Sequence, residues 1–231
     1  MQSTERQTVA IENGEIPAQR AGASGGRAAR MKPGERRVHI LQTLAVMLEA
    51  PKGEKITTAA LAARLGVSEA ALYRQFASKA QMYEALIDFI ESTFFGLINQ
   101  ITAREPDGVL QARAIGLMLL RFAAKNPGMT RVLTGEALVG EHERLAERVE
   151  RMLERVETSV KQCLRLALMD ANHRPPGTDA PATALPANYD PAVRASLIVS
   201  YVLGRWHRYA KSGFTHAPDQ HADAQLRLIL Q

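Results

Sequence analysis

Residues 57–81 read TTAALAARLGVSEAALYRQFASKAQ and contain two short helical patterns separated by a tight turn. Gly66 follows the first pattern, at a position where helices often end in the left-handed conformation that glycine adopts most easily. Ser68 precedes the second pattern as an N-cap, because its hydroxyl can accept a hydrogen bond from a first-turn amide. The arrangement predicts a helix-turn-helix, whose second helix enters the major groove of DNA. A plain helical hairpin is the alternative.

The apolar residues of this stretch are spaced so that both helices contribute to one small core. They are Leu61, Leu65, Val67, Leu72 and Phe76. An earlier amphipathic helix is predicted to begin near Glu35, from apolar residues at intervals of three and four. Those residues are Val38, Leu41, Leu44, Ala45 and Leu48. Together the three helices predict a DNA-binding head over residues 35–80.

The composition allows a nucleic-acid partner and argues against several other classes. The chain has 231 residues, a formal net charge of +5 and a single cysteine, which suits a reducing compartment. Its six histidines are scattered without the spacing of a zinc site, and no glycine-rich phosphate loop follows a strand. We therefore expect no enzyme, no catalytic residue, no metal and no cofactor. The absence of a long apolar segment and of a signal peptide predicts a cytoplasmic protein without a membrane partner.

The N-terminal residues 1–34 are predicted to form a disordered tail, since they contain few large apolar residues. Its basic end runs into the first helix, and the basic residues of this region are Arg27, Arg30, Lys32, Arg36 and Arg37. Two interpretations stay open: the tail contacts DNA phosphates or the minor groove, or it only increases solubility.

Residues 81–231 are predicted to form a second, helical domain. Ser78 and Gln81 form a capping box that starts a long helix to about Ile101. Its acidic residues face away from its apolar side, but Phe89 and Phe95 do not follow this division. Exposing a phenylalanine forgoes roughly 1.5–3 kcal/mol of burial. Either a neighbouring helix covers these two rings, or they form a docking site for another protein.

The remaining pattern predicts five further helices. They cover residues 109–124, a segment from Pro127 to about Val139 with Asn126 as N-cap, residues 141–171, residues 192–211 and residues 219–231. Residues 172–191 contain several prolines and are predicted to form a flexible linker. Gly204, inside a helix, suggests the close approach of another backbone. We expect the last two helices to form a four-helix interface with a second copy, and burial within one chain is the alternative.

The segment ITTAALAARLGVSEAALYRQFASK, residues 56–79, resembles the DNA-binding head of the TetR family. Three further segments resemble an atypical group of that family, the nucleoid occlusion factors. They are ERRVHILQTLAVMLE (35–49), SKAQMYEALIDFIE (78–91) and NPGMTRVLTGEAL (126–138). The resemblance implies an all-α, TetR-like fold with a three-helix helix-turn-helix head and a helical C-terminal dimerisation and regulatory domain.

The resemblance also implies a function and a set of residues. A nucleoid-associated homodimer would bind palindromic sites on double-stranded DNA, dock the division GTPase FtsZ and antagonise division-ring assembly over the nucleoid. The implied DNA-binding residues are Thr57, Thr58, Ser68, Glu69, Ala70, Tyr73, Arg74 and Lys79. The implied partner-binding residues, along two helices, are Phe89, Phe95, Met118, Arg121, Lys125 and Asn126.

The sequence departs from the resemblance in places. Gln75 stands where the family signature usually has histidine, and Leu97 and Arg121 stand where a basic and a small residue are expected. Tyr73 could alternatively pack in the head's own core. The competing function is a ligand-responsive TetR-type repressor, whose pocket would be lined by Met118, Phe122, Met152 and Trp206.

Overall fold

A computed structural model of the protein describes residues 33–50, 56–173, 185–186 and 188–231. Within these ranges the chain is helical and contains no strand, which confirms the predicted all-α fold. The α-helices are α1 (Pro33–Leu48), α2 (Thr58–Leu65), α3 (Glu69–Tyr73), α4 (Lys79–Arg104), α5 (Gly108–Lys125), α6 (Pro127–Leu133), α7 (Arg144–His173), α8 (Pro191–Lys211) and α9 (Ala222–Leu230). No helix within these ranges is both long and apolar enough to cross a bilayer.

Local capping chemistry fixes the helix boundaries of the head as predicted. Gly66 has a φ of 65°, and the amide of Val67 closes the end of α2 on the carbonyl oxygen of Ala62, 3.0 Å away. The Ser68 hydroxyl accepts a hydrogen bond from the amide of Ala71 at 3.2 Å, which starts α3. The helix-turn-helix geometry therefore follows from two residues.

The start of α4 uses the capping box that the sequence predicts. The Ser78 hydroxyl accepts from the amide of Gln81 at 3.2 Å. The Gln81 side-chain oxygen accepts from the amide of Ala77 at 2.9 Å, one residue before the amide that usually donates in this motif. Two amides at the start of α4 thereby find side-chain acceptors.

The core of the head lies between α1, α2 and α3 and differs from the prediction at two positions. Its buried residues are Ile40, Leu44, Ala45, Leu48, Leu61, Leu72 and Phe76. Val38 and Val67 were expected there but are 51% and 40% exposed. The prediction for Val38 is wrong because this residue lies about 200° around α1 from the buried Ile40, at about 100° per residue. The prediction for Val67 is wrong because this residue lies in the turn after Gly66 and so does not belong to the buried face of α2.

The body of the protein is built around α5, which packs against α4, α7, α8 and α9. An aromatic cluster fills its centre. The rings of Phe94 and Phe122 meet edge to face with centroids 4.8 Å apart, and Trp206 lies 6.2 Å from Phe94. The indole nitrogen of Trp206 donates to the carbonyl oxygen of Leu119 at 3.2 Å. These contacts confirm the prediction that residues 109–124 form a buried central helix.

Two details of the predicted body are corrected. The helix expected to run from Pro127 to Val139 ends at Leu133, because Gly135 takes a φ of 75° and a 3₁₀ helix, Glu136–Leu138, follows. Among the residues that the structure describes, no other backbone approaches Gly204, where a β-carbon would face open space, and approach by a second copy stays a prediction. The predicted N-terminal tail lies outside the described residues up to residue 32, and the predicted linker does so at residues 174–184 and 187.

Candidate nucleic-acid interface and partner surface

The N-terminus of α2 and the outer face of α3 meet at one surface. The Thr58 hydroxyl donates to a Glu69 carboxylate oxygen at 2.7 Å, and the Tyr73 hydroxyl donates to the Thr58 hydroxyl oxygen at 3.4 Å. Tyr73 is exposed, so it does not belong to the core of the head. This network brings predicted DNA-binding residues of two helices together across the turn.

The chemistry of this surface suits a nucleic acid. Thr57 caps α2 by accepting from the amide of Ala60 at 3.1 Å, and the other first-turn amides of α2 point out of the helix end. Such amides, with the positive end of the helix dipole, bind phosphate oxygens. Glu69, on α3, is exposed and offers a carboxylate that can accept from cytosine. Arg74, at the C-terminal end of α3, is also exposed and offers a guanidinium that can bind guanine or phosphate. Ser68 and Ala70 are exposed beside them.

Lys79 is engaged within the chain. Its ammonium nitrogen lies 2.5 Å from a carboxylate oxygen of Glu141, and the two side chains are only 22% and 11% exposed. The same nitrogen lies 5.7 Å from the ring centroid of Tyr83. Burial, and then the charge of Glu141, raise the pKa of Tyr83 well above its usual range. A phosphate bound by Lys79 would have to compete with Glu141, and the predicted phosphate contact stays a prediction.

Arg37 is a candidate residue that the sequence indicated only as part of a basic run. Its Nη1 donates to the carbonyl oxygen of Gln75 at 2.5 Å, and its guanidinium carbon lies 4.1 Å from the ring centroid of Phe76. The side chain therefore ties α1 to the C-terminal end of α3. It places a positive charge beside the recognition helix.

The acidic face of α4 forms ion pairs with arginine residues of α7. Arg144 lies 2.8 Å from Glu84, and Arg148 and Arg155 pair with Asp88 and Glu91. The ring of Phe95 lies under Arg155, 4.2 Å from its guanidinium carbon. This contact favours cover by a neighbouring helix for Phe95, and its role in partner binding stays a prediction.

Phe89 lies on the other edge of the apolar face of α4. At about 100° per residue, the six positions from Phe89 to Phe95 leave the two rings about 120° apart across the exposed side of α4. On α5, Met118, Arg121 and Lys125 follow one another at intervals of three and four and so share one face. Phe89 and Met118 are half-buried, and Arg121 and Lys125 are exposed. We call these four residues the partner surface.

Asn126 does not lie on that surface. It is 8% exposed, and its amide donates to the carbonyl oxygen of Phe122 at 2.8 Å. Its position at the N-cap of α6 is as predicted, but its side chain makes no capping hydrogen bond there. The residue holds the turn between α5 and α6, and a role in partner binding stays a prediction.

Three of the four residues suggested for a ligand pocket are buried in the body of the protein, and the fourth, Met118, is half-buried. Phe122, Met152 and Trp206 are each less than 4% exposed. Phe122 and Trp206 both pack against Phe94 in the aromatic cluster at the centre of the body. These contacts favour a structural role for the three side chains. No group of metal-ligating side chains occurs among the described residues.

Comparison with known proteins identifies the family to which the chain belongs. The model "Bacterial regulatory proteins, tetR family" matches residues 47–86. The fold resembles a TetR-family transcriptional regulator from Pectobacterium atrosepticum, with a TM-score of 0.57 and 18% identity over 86% of this chain and 93% of that one. A TetR-family regulator from Mesorhizobium loti gives a TM-score of 0.56 at 14% identity, over 87% of this chain and 98% of the other. The chain belongs to the TetR family.

Further matches are to one group within the TetR family, the SlmA proteins. The SlmA-like type of "Tetracyclin repressor-like, C-terminal domain" matches residues 107–231. The nucleoid occlusion factor SlmA of Idiomarina loihiensis is 46% identical over 85% of this chain and 94% of its own length. SlmA of Alteromonas mediterranea is 44% identical over 84% of this chain and 94% of its own. SlmA of Shewanella frigidimarina is 42% identical, over 85% and 93%.

Proposed function

We propose that this protein is a nucleoid occlusion factor that, as a dimer bound to palindromic chromosomal sites, inhibits FtsZ assembly over the nucleoid. The observation that carries the proposal is its 46% identity to a SlmA protein across 94% of that protein's length. The exposed surface formed by α2 and α3 supports the DNA-binding part. The partner surface supports the second part, since it combines two apolar side chains with positive charge.

The proposed dimer uses a face of α8 and α9 that one chain leaves uncovered. Its exposed residues are Val193, Leu197, Gly204 and Leu228; we call them the dimer face. The three on α8 share one side of that helix, at intervals of four and seven. Gly204 has open space in front of it within this chain, which allows a second α8 to approach closely. Pairing α8 and α9 with their copies would form a four-helix interface.

The proposed FtsZ contact is with a short segment of that protein, its C-terminal tail. Phe89 and Met118 would receive apolar side chains of the tail, and Arg121 and Lys125 would attract its acidic groups. Peptides commonly bind in such a groove through a few apolar anchors, and nearby charges add orientation. The proposed contact would use α4 and α5, whereas the dimer face belongs to α8 and α9.

A polymerisation assay tests the proposed function. FtsZ with GTP would be followed by light scattering after addition of the protein with a duplex that carries its palindrome. We expect fewer polymers than with FtsZ alone, and a weaker effect when a duplex with a scrambled site is used. Equal scattering in all three samples would contradict the proposal.

Phe89→Ala should reduce binding to an FtsZ tail peptide while leaving DNA affinity unchanged. Loss of a half-buried aromatic anchor costs about 1–2 kcal/mol, which is about five- to thirtyfold in affinity. Peptide binding can be measured by fluorescence anisotropy. Phe95→Ala is the matched control: because its ring packs under Arg155, it should lower thermal stability but retain peptide binding. If Phe95→Ala alone reduced peptide binding, the partner surface would lie on the wrong edge of α4.

Arg74→Ala should weaken DNA binding about tenfold, because it removes a charged contact from the recognition helix. If that contact is to a phosphate, the slope of log affinity against log salt should fall by about 0.9. Arg151→Ala is the control, since Arg151 is an exposed cation on α7 that pairs with Glu147 at 3.5 Å. Equal affinities for Arg74→Ala and the control would exclude Arg74 from the interface.

A further inference from the structure

Arg131 of α6 lies at the junction between the DNA-binding head and the body. It is only 8% exposed, although arginine is rarely buried without partners. Its Nη1 donates to the carbonyl oxygens of Leu48, at 2.9 Å, and Ala50, at 2.6 Å. These oxygens belong to the C-terminal end of α1, where a helix has no donors of its own for them. Arg131, from another part of the chain, therefore supplies the hydrogen-bond donor that these carbonyl oxygens lack within α1.

The same guanidinium also contacts the segment that follows α8. Its central carbon lies 4.8 Å from the ring centroid of Phe214. Phe214 has a φ of 67°, a left-handed conformation that residues with a side chain adopt rarely. Its ring packs edge to face against Tyr209, with centroids 5.1 Å apart, and the Tyr209 hydroxyl donates to the carbonyl oxygen of Ala124 at 3.3 Å. Arg131 thus connects the end of α1 to the end of α8.

The helices α1 and α6 cross in direct backbone contact. A β-carbon on Gly128 would overlap the carbonyl oxygen of Ala45, so the two backbones touch there. The helices α2 and α3 pack against α1, because Leu61 and Leu72 lie in the same core as the buried residues of α1 and Arg37 donates to Gln75. Any change in the angle of α1 against the body would move α3 with it.

We propose that Arg131 is a positioning residue for DNA recognition, which fixes α1 against the end of α8 and thereby sets the spacing between the two recognition helices of the dimer. The inference rests on the proposed function, since it requires α8 to lie in the dimer interface. A dimer of this kind contacts half-sites about 34–36 Å apart, or about one turn of DNA. Each inserted base pair shifts a half-site by about 3.4 Å and rotates it by about 35°. A head held rigidly by Arg131 discriminates against such changes.

The test compares palindromes of different spacing. The duplexes carry a palindrome recovered from the protein's own chromosome, with no change or with one or two base pairs inserted at its centre. Affinity is measured by fluorescence anisotropy for wild type, Arg131→Met and Arg131→Lys. The wild type should lose at least about 100-fold in affinity with two inserted pairs. Arg131→Met should lose less than about tenfold, with Arg131→Lys between them because an ammonium can still donate to the α1 carbonyls.

A core variant separates positioning from stability. Val132 is fully buried beside Arg131 in the sequence, and Val132→Ala should lower the melting temperature without touching the α1 carbonyls. It should keep the spacing preference of the wild type. An unchanged preference in Arg131→Met would overturn the inference, as would an equal loss of preference in Val132→Ala.

A second variant keeps the test decisive if Arg131→Met does not fold. Phe214→Leu removes the ring under the guanidinium but leaves the hydrogen bonds to α1, and it should also flatten the spacing preference. A wild-type preference in Phe214→Leu would then overturn the inference. A wild-type protein that binds no palindrome would overturn the proposed function and this inference together, whereas a spacing preference that is independent of Arg131 and Phe214 overturns this inference alone.

Discussion

Gly128→Ala should lower the free energy of unfolding by about 3 kcal/mol, the upper part of the range for overpacked sites. The reason is that the added β-carbon would overlap the backbone carbonyl oxygen of Ala45 and approach the side chain of Leu48. A backbone group cannot turn aside as a flexible side chain can, so α1 and α6 must separate. Natural domains are stable by only about 5–15 kcal/mol. The variant should therefore unfold at a clearly lower urea concentration, measured by circular dichroism.

Gly96→Ala is the matched control for this prediction. Gly96 also lies in a helix, α4, but a β-carbon there would meet nothing within 4 Å. Alanine is favoured over glycine in a helix interior by about 1 kcal/mol, so this variant should be slightly more stable than the wild type. If both variants unfolded at the wild-type urea concentration, α1 and α6 would not cross as closely as the structure has them.

Leu197→Glu should convert the dimer into a monomer and lower affinity for the palindrome by at least about 100-fold. Leu197 is 46% exposed in the single chain, so the change should leave the fold intact. In the proposed interface it would bury an unpaired carboxylate, with its symmetry copy nearby. Such a charge costs about 3–5 kcal/mol, and each 1.4 kcal/mol is about tenfold in an equilibrium constant. Sedimentation velocity measures the oligomeric state, and anisotropy measures DNA binding.

Leu166→Glu provides the control for the dimer. Leu166 lies on α7, is 52% exposed and stands outside the dimer face. The same chemical change at that position should leave both the dimer and the DNA affinity unchanged. A dimer that survives Leu197→Glu would place the interface elsewhere on the protein.

The parts of the fold that the sequence predicted well are those decided by local chemistry. The φ of Gly66 and the caps at Ser68 and Ser78 depend on residues within four positions in the chain. The long apolar stripes of α4 and α7 also follow from spacing, since the residues of one helix face must be buried together. Two valines were predicted wrongly: Val38, on the outer side of α1, and Val67, in the turn after α2, are apolar enough for the core but are exposed.

The parts that the sequence did not predict depend on contacts between distant residues. The pair of Lys79 with Glu141 joins positions 62 residues apart, and the bonds from Arg131 to the end of α1 span more than 80. Periodicity says only that Phe95 lies on the acidic face of α4. It does not say that Arg155 of another helix will cover the ring. The apolar spacing likewise gave no sign that α6 would end early, at Leu133.

The most direct test of the proposed function is a map of the protein on its own chromosome, made by crosslinking and sequencing the bound DNA. Nucleoid occlusion predicts many palindromic sites spread over the chromosome, within and between genes, and few sites around the replication terminus. A single site at one promoter would contradict it and would favour a repressor that controls a neighbouring gene.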